Sequence, residues 1–277
     1  MNFGLIIIGD EILSGKRADK HLARGIEILG ARGLQVAYAD YVGDVPARIT
    51  ATLQRALASG DVVFSFGGIG ATPDDHTRQC AAQALGCDLV LHPEAQALIV
   101  ERMQDVAREQ GTVFEPDRSD NLHRLNMGMF PAGAEIIPNP FNKIPGFFCA
   151  GEPANAGAPA GRPGVYFVPG FPVMAWPMVE WVLDTHYHHL FRTGAWLERS
   201  VIVFGAMEST LTPLMEDLEQ QYAIKVFSLP SVDHPQWGRH IELGVKGDPQ
   251  RVTASFDALL AGLNRMGVAL GPELVRP

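Results

Sequence analysis

The sequence predicts an α/β protein with a mostly parallel sheet, followed by a small α+β domain. Short, continuously apolar runs at 5–8, 62–66 and 165–168 are typical of strands that are buried on both faces of a parallel sheet. Amphipathic helical stretches alternate with these runs, as expected for right-handed strand–helix–strand crossovers. The chain has 277 residues, which is enough for two ordinary domains. We expect the α/β domain at 1–190 and the second domain at 195–277.

The elements of the α/β domain follow from hydrophobic periodicity and from helix start and stop signals. The first helix, for example, is expected to bury Leu22, Ile26 and Leu29 on one face, with charged residues on the other. The polar stretch 121–126 predicts a helix or a loop. The predicted strands are 5–8, 34–39, 62–66, 134–137 at a sheet edge, and 165–168, and the predicted helices are 18–30, 46–58, 73–85, 93–109 and 173–190.

Two later regions depart from this pattern. Residues 151–164 are rich in Gly, Ala and Pro and predict an exposed loop, which is either a bare surface insertion or a partial lid over a site. After residue 195 the order of elements changes to strand, helix, two strands and helix, which predicts a small α+β sandwich. Its predicted elements are the strands 201–204, 226–229 and 241–245 and the helices 209–221 and 249–266.

Composition and charge exclude several classes of protein. The net charge of −9 and the pI near 5.4 disfavour a nucleic-acid-binding protein, whose surface is basic. No run of 18 apolar residues occurs, and the N-terminus lacks the basic region of a signal peptide, so we expect a cytoplasmic protein without membrane contact. The three cysteines form no CxxC pair and are expected to be reduced, mostly buried thiols.

The most informative stretch is GGIGATPDDHT, from Gly67 to Thr77. It follows a predicted strand and precedes a helix signature, with Thr72 as N-cap and Asp75 three residues later. The backbone N–H groups of such a loop can bind a phosphate. The carboxylates of Asp74 and Asp75 would repel that phosphate unless a divalent cation lay between them. The stretch therefore predicts a metal–nucleotide or metal–pterin phosphate site, unless Asp75 only completes a capping box and Asp74 only complements the helix dipole.

Glycine-bearing turns follow three predicted strands, at 9–11, 67–70 and 169–172. Ligands of open α/β sheets bind at the carboxyl ends of the strands, so these turns predict one composite site. The alternative is that they are ordinary turns, which use Gly and Asp routinely. A strict P-loop and the third glycine of a dinucleotide fingerprint are both missing. Asn121 and Arg124 could hold a phosphate or ribose, or form a solvated polar face.

A histidine cluster follows the last predicted helix of the α/β domain, with His186, His188 and His189 close together in sequence. Histidine suits a helix C-terminus, where a positive charge complements the dipole. We therefore favour this interpretation over a metal cluster.

Taken together, the motifs resemble the molybdopterin-binding (MoaB/Mog-like) domain family. The resemblance is closest to the branch of competence/damage-inducible protein A and the N-terminal half of animal FAD synthases. It covers about 1–190, and 195–277 resembles the small domain that follows it in competence/damage-inducible proteins. The matching motifs are GDEIL-x-G from Gly9, GGIG-x-T-x-DD-x-T from Gly67, PG-x-P from Pro169, and shorter matches at 42–44, 121–127, 131–134, 139–140 and 145–147.

The resemblance implies a three-layer α/β sandwich that binds molybdopterin or adenine nucleotides. The closest branch is similar to pyrophosphatases that use Mg²⁺, Mn²⁺ or Co²⁺ to split ADP-ribose or FAD. It implies that Asp75, with Asp74, is the metal-binding and catalytic carboxylate. Asp10 and Glu11 would hold polar groups of the ligand. The ligand-binding residues expected by this resemblance are Gly9, Asp10, Glu11, Gly67, Gly68, Ile69, Gly70, Thr72, Thr77, Asn121, Arg124, Gly170 and Pro172.

Two positions depart from the family pattern: Ala71 stands where the family usually has Pro, and Val173 stands where it often has Glu. The first change is expected to loosen the loop, and the second removes a possible carboxylate. Since no amidohydrolase domain and no adenylyltransferase half are present, neither nicotinamide-nucleotide deamidation nor FAD synthesis is expected. A non-catalytic pterin- or nucleotide-binding protein and a molybdopterin adenylyltransferase stay open as alternatives, because both need the same phosphate cradle. A homo-oligomer is expected, since related proteins are oligomeric.

Overall fold

The computed structural model describes residues 1–151, 162–192 and 196–276. The chain divides into two compact units, Met1–Phe191 and Arg192–Pro277. Residues 152–161 of the predicted loop 151–164, on which its proposed lid depends, lie outside the described residues. No helix in the part of the chain that the structure describes is long and apolar enough to cross a membrane.

The first unit is built on a six-stranded sheet whose order is β2-β1-β3-β8-β7-β6. The pairs β2–β1, β1–β3 and β3–β8 are parallel, whereas β8–β7 and β7–β6 are antiparallel. A separate antiparallel pair joins β4 and β5. The strands of this unit are β1 (Phe3–Ile8), β2 (Val36–Val42), β3 (Val62–Phe66), β4 (Leu89–Leu91), β5 (Met129–Pro131), β6 (Glu135–Ile137), β7 (Gly146–Ala150) and β8 (Gly164–Val168).

Helices cover both faces of this sheet, because successive residues of a buried strand point to opposite sides. Leu5 and Ile7 of β1 pack in one core with α2 and α7, while Ile6 and Ile8 pack in the other with α3, α4 and α5. The helices are α1 (Asp10–Leu13), α2 (His21–Gly30), α3 (Pro46–Ala58), α4 (Thr77–Leu85), α5 (Pro93–Glu109), α6 (Ser119–Leu125) and α7 (Pro172–His186). The predicted three-layer α/β fold is confirmed.

Several details of the first unit differ from the sequence prediction, and the short helix α1 and the strands β4 and β5, for example, were not predicted. Strand β7, which follows Pro145, was not predicted either. Ile26 was predicted to be buried but is 54% exposed, because α2 approaches Leu5 closely at Gly25 and buries Ile28 instead. The helix predicted at 73–85 begins only at Thr77, for reasons that involve the site described below.

The second unit is a four-stranded antiparallel sheet in the order β10-β11-β9-β12, with α8 and α9 packed on one face. Its last strand was not predicted from the sequence. It lies at a sheet edge and carries Gly271 and Pro272 where its register shifts, so its pattern is broken. The elements are β9 (Leu197–Phe204), α8 (Glu208–Tyr222), β10 (Lys225–His234), β11 (Gly238–Gly247), α9 (Pro249–Arg265) and β12 (Ala269–Arg276).

Candidate functional site

A pocket of about 390 Å³ lies at the carboxyl ends of β1, β3 and β8. These strands are parallel neighbours, so the turns that follow them come together at one edge of the sheet. The turns at 9–11, 67–70 and 169–171 all contribute to the pocket wall. The further lining residues that matter for the chemistry are Arg17, Asp44, Thr72, Asp74, Asp75, Asn139 and Asn142.

The glycine loop after β3 is too crowded for side chains. Gly67 and Gly68 have φ angles of +97° and +68°, which favour glycine. A Cβ atom at Gly67 would lie 2.5 Å from the Ile8 carbonyl oxygen, and one at Gly68 would lie 2.0 Å from Thr77 Oγ1. A Cβ atom at Gly70 would lie 2.6 Å from Asp75 Oδ2. The loop therefore presents backbone to the pocket, as phosphate binding requires.

Thr77 and Arg78, at the start of α4, fix this loop by hydrogen bonds to its carbonyl oxygens. The Thr77 backbone N–H donates to the Gly68 carbonyl oxygen at 3.0 Å, and its hydroxyl donates to the Gly67 carbonyl oxygen at 3.1 Å. Arg78 is buried and donates from Nη1 to the Ile69 carbonyl oxygen at 3.1 Å. Burial lowers the pKa of Arg78, and the nearby charge of Asp75 opposes that shift. A guanidinium under the loop adds positive potential where an anion would lie.

The segment between the loop and α4 is a turn built by Thr72 and Asp75. Asp75 Oδ2 accepts hydrogen bonds from the Thr72 backbone N–H at 2.8 Å and from its hydroxyl at 2.5 Å. Thr72 therefore donates to the carboxylate and does not cap a helix, so the predicted N-cap at Thr72 is wrong. Asp74 is exposed, and its proximity to the Thr72 side chain and to its own backbone N–H lowers its pKa. Both carboxylates line the pocket beside the glycine loop.

Further carboxylates approach from the other turns. Asp44 and Asp10 bond reciprocally: the Asp10 backbone N–H donates to Asp44 Oδ2 at 2.9 Å, and the Asp44 backbone N–H donates to Asp10 Oδ1 at 3.0 Å. Burial raises the pKa of Asp44, and the charges of Asp10, Glu11 and Asp74 raise it further. Negative charge is thus concentrated on one side of the pocket.

These carboxylates are suited to a divalent cation only if phosphates of a ligand complete its coordination. No group of three or more His, Cys, Asp or Glu side chains that could hold a metal occurs among residues 1–151, 162–192 and 196–276. Mg²⁺, however, is commonly held by one or two carboxylates together with substrate phosphates and water. Asp75 and Asp74, next to a phosphate-binding loop, fit that pattern and do not form an all-protein cage.

The structure brings most, but not all, of the predicted site residues together. Thr77 lies beneath the loop, Asp10 is tied to Asp44, and Pro172 lines a neighbouring pocket as the first residue of α7. Asn121 and Arg124 bond to each other at 3.0 Å and do not line the pocket. The predicted residues that line it are Gly9, Glu11, Gly67, Gly68, Ile69, Gly70, Thr72, Asp74, Asp75 and Gly170.

Sequence reasoning missed several residues of the pocket wall. Asp44 and Asn139 belong to short stretches that support the family resemblance, but neither was assigned to the site. Asn139 is buried, and its amide donates to Asn142 Oδ1 at 2.8 Å, so the pair forms a fixed polar wall. Arg78, which is buried beneath the loop and does not line the pocket, gave no signal, because an arginine in the first turn of a helix is ordinarily exposed.

Comparison with known proteins supports the family resemblance that the sequence motifs indicated. A family model described as "Probable molybdopterin binding domain" matches residues 4–189. A CinA-like protein of Geobacter metallireducens is 31% identical over 227 residues, which are 79% of this chain and 49% of that protein. A CinA-like protein of Syntrophotalea carbinolica is 28% identical over 234 residues, 81% of this chain and 52% of that protein. The chain thus spans about half the length of these CinA-like relatives.

The fold is also similar to that of a solved structure. The crystal structure of the protein CinA with unknown function from Thermoplasma acidophilum is 28% identical, with a TM-score of 0.52. The match covers 66% of this chain and 96% of that one. The family match spans all three turns of the pocket, the glycine loop and its two aspartates. The chain therefore belongs to the molybdopterin-binding domain family, and it is similar to CinA-like proteins.

Proposed function

We propose that the protein is a metal-dependent nucleotide pyrophosphatase that acts on ADP-ribose or FAD-like diphosphates. The observation that carries the proposal is the placement of Asp74 and Asp75 in the same pocket as the backbone of the glycine loop. A diphosphate bound to that loop would meet these carboxylates, and the repulsion would weaken binding. A divalent cation between carboxylates and diphosphate removes this conflict.

Each part of the pocket has a role in this proposal. The backbone N–H groups of the loop that follow Gly67 bind phosphate oxygens, and buried Arg78 makes the potential there more positive. Thr72 fixes the orientation of Asp75, so that the carboxylate is preorganised. Glu11 hydrogen-bonds polar groups of the ligand. When bound, the metal would neutralise diphosphate charge and lower the pKa of a bound water.

A second candidate is a non-catalytic molybdopterin- or nucleotide-binding protein of cofactor biosynthesis. It is favoured by the lack, in the described part of the chain, of three metal-ligating side chains in one group. A molybdopterin adenylyltransferase would use the same loop and is the third candidate.

A substrate screen separates these candidates. The purified protein is incubated with ADP-ribose, FAD or molybdopterin plus ATP, each with Mg²⁺, Mn²⁺ or Co²⁺, and the products are identified by mass spectrometry. Cleavage of the diphosphate supports the pyrophosphatase. Tight binding without turnover supports the binding protein, and an adenylylated pterin supports the transferase.

A further inference from the structure

The turn 139–145 forms an uncharged part of the pocket wall. It precedes β7, which runs antiparallel to β8, so the turn lies at the same sheet edge as the turn after β8. Asp10 and Asp44 follow β1 and β2, which lie at the other end of the row of strands. The residues of the turn that line the pocket are Asn139, Asn142, Ile144 and Pro145. The wall thus changes from carboxylates on one side to neutral groups on the other.

The side-chain amide of Asn142 has a defined orientation in this wall. Its Oδ1 accepts from Asn139 Nδ2 at 2.8 Å and from the Ile144 backbone N–H at 3.1 Å. Since a backbone N–H can only donate, the donor group Nδ2 must lie on the other side of the amide. There it lies 3.5 Å from Met174 Sδ, and a thioether sulfur is a weak acceptor. Asn142 is half-buried, so its amide N–H can donate to an oxygen of a ligand in the pocket.

Lys143, the next residue, has a backbone conformation that lysine rarely adopts. Its φ is +66°, and in the part of the chain that the structure describes Ala223 is the other non-glycine residue with a positive φ. Its backbone N–H donates to the Asn139 carbonyl oxygen at 3.0 Å. Such strain persists only where the surroundings fix the residue, and strained residues are concentrated at ligand sites.

Two ion pairs with α5 fix the side chain of Lys143. Its Nζ lies 2.5 Å from Glu101 Oε1 and 2.7 Å from Asp105 Oδ2. The hydrogen bond from Lys143 lowers the pKa of Asp105, so this carboxylate is ionised at neutral pH. Neither Glu101 nor Asp105 lines the pocket. The ion pairs therefore tie the pocket wall to a helix that does not itself contact the ligand.

We propose that Lys143 is a positioning residue, whose ion pairs with Glu101 and Asp105 hold the turn so that the Asn142 amide donates to an oxygen of the ligand. The inference rests on the proposed function in taking a nucleoside diphosphate as the ligand. It goes beyond that function in assigning a role to the uncharged side of the pocket. The oxygen that accepts belongs to a phosphate or to the nucleoside.

Calorimetric titration with Mg²⁺ and two uncleavable probes tests the proposal. The probes are adenosine 5′-(α,β-methylene)diphosphate and methylenediphosphonate, which has no nucleoside. Asn142→Ala and Lys143→Met are each expected to weaken binding of the nucleotide probe about tenfold, whereas Lys143→Arg keeps it. Arg55→Met is the matched control, because Arg55 pairs with Asp40 at 2.7 Å and neither residue lines the pocket.

The two probes also identify the accepting oxygen. A loss of affinity for both probes supports the proposal with a phosphate oxygen as acceptor, and a loss for the nucleotide alone supports it with an oxygen of the nucleoside. Unchanged binding of both probes by either Asn142→Ala or Lys143→Met overturns the proposal. So does a wild type that binds neither probe.

Lys143→Gly separates positioning from stability. Glycine adopts a φ of +66° without strain, so this variant is expected to unfold at a urea concentration no lower than Lys143→Met does, yet to bind as weakly. Ala223→Gly relieves the same kind of strain in the second unit and is expected to leave binding unchanged. Glu101→Gln combined with Asp105→Asn is expected to reproduce the binding of Lys143→Met. Wild-type affinity in Lys143→Gly would show that the ion pairs position nothing.

Failure of the positioning role is distinguishable from failure of the proposed function. The expected losses of binding, without cleavage of ADP-ribose by the wild type, support the positioning role and contradict the pyrophosphatase. Cleavage of ADP-ribose with the same KM and kcat in the wild type and Lys143→Met contradicts the positioning role and leaves the pyrophosphatase in place.

Discussion

Asp75 Oδ2 accepts both a backbone and a hydroxyl hydrogen bond from Thr72, at 2.8 Å and 2.5 Å. The sequence TPDD looked like a helix cap, in which the threonine accepts and the helix starts at once. Here the backbone N–H of Thr72 still donates to Asp75, as in a capping box, but the threonine hydroxyl also donates to it instead of accepting, and α4 starts only at Thr77. The turn that results holds the carboxylate half-buried at the mouth of the glycine loop.

The first prediction concerns Asp75→Asn. Asparagine keeps the size and can still accept from Thr72, but it loses the charge that a metal ion needs. We expect diphosphate cleavage to fall at least ~100-fold, which is about 2.7 kcal/mol of barrier. The free energy of unfolding is expected to change by less than ~1 kcal/mol. Steady-state kinetics and urea unfolding measure the two effects.

Asp248→Asn is the matched control for this variant. Asp248 also accepts backbone hydrogen bonds, from Gln250 and Arg251, but in the second unit. It is expected to leave the rate unchanged. Full activity in Asp75→Asn would reduce Asp75 to a residue that only shapes the turn.

The second prediction concerns the crowding of the glycine loop. Gly68→Ala places a methyl group 2.0 Å from Thr77 Oγ1 at a φ of +68°. Gly86→Ala has almost the same φ, +66°, with no atom within 4 Å of its Cβ position. We expect Gly86→Ala to lower the free energy of unfolding by about 1 kcal/mol, from backbone strain alone. Gly68→Ala is expected to lower it further and to weaken nucleotide binding.

Chemical denaturation of both variants checks this comparison. The difference between them isolates the contact with Thr77 from the cost of a positive φ. Equal destabilisation would show that the loop has room for a side chain.

The third prediction uses the raised pKa of Asp44. Burial and the charges of Asp10, Glu11 and Asp74 raise that pKa in the folded state, so the ionised form disfavours folding. The destabilisation that ionised Asp44 causes is absent below the pKa of the unfolded state. It is complete above the pKa of the folded state. Asp44→Asn is therefore expected to be more stable than the wild type at about pH 7, by less than ~1 kcal/mol, with no gain at about pH 3.

Mg²⁺ is expected to reduce the stability advantage of Asp44→Asn over the wild type. A bound cation stabilises the clustered carboxylates, so the wild type should gain more thermal stability from Mg²⁺ than Asp44→Asn does. Thermal unfolding across this pH range, with and without Mg²⁺, tests both statements. A variant less stable than the wild type at neutral pH without metal would contradict the charge cluster.

The general plan of the fold and of the site could be predicted because both depend on local patterns. Buried parallel strands such as 62–66 are continuous apolar runs, and turns after such strands meet at one sheet edge. The position of the glycine loop and of its two aspartates at this edge follows directly from that rule. What the pattern could not show is which of several polar residues face the pocket.

The residues that were missed or misplaced depend on tertiary contacts. Arg78 looked like an exposed helix residue, and only the packing of α4 beneath the loop buries it. Thr77 and Arg124 have side chains of the kind that bind phosphates, yet Thr77 holds the loop and Arg124 bonds Asn121. Asp44 reaches the site because β2 is the neighbour of β1, which no local pattern specifies.

The fourth prediction concerns independent folding. Residues 1–191 contain a complete sheet with helices on both faces, so a chain ending at Phe191 is expected to unfold cooperatively. Circular dichroism during thermal unfolding of this fragment tests the prediction. A fragment with helical signal but no cooperative transition would show that the domain boundary is wrong.

The most direct test of the central claim is ³¹P NMR of ADP-ribose incubated with the wild-type protein and Mg²⁺, beside Asp75→Asn under the same conditions. The account predicts that the diphosphate signals of the wild-type sample are replaced by two monophosphate signals, from AMP and ribose 5-phosphate. The Asp75→Asn sample is expected to keep its diphosphate signals over the same time. An unchanged diphosphate in the wild-type sample with Mg²⁺, Mn²⁺ and Co²⁺, or equal cleavage in both samples, would contradict it.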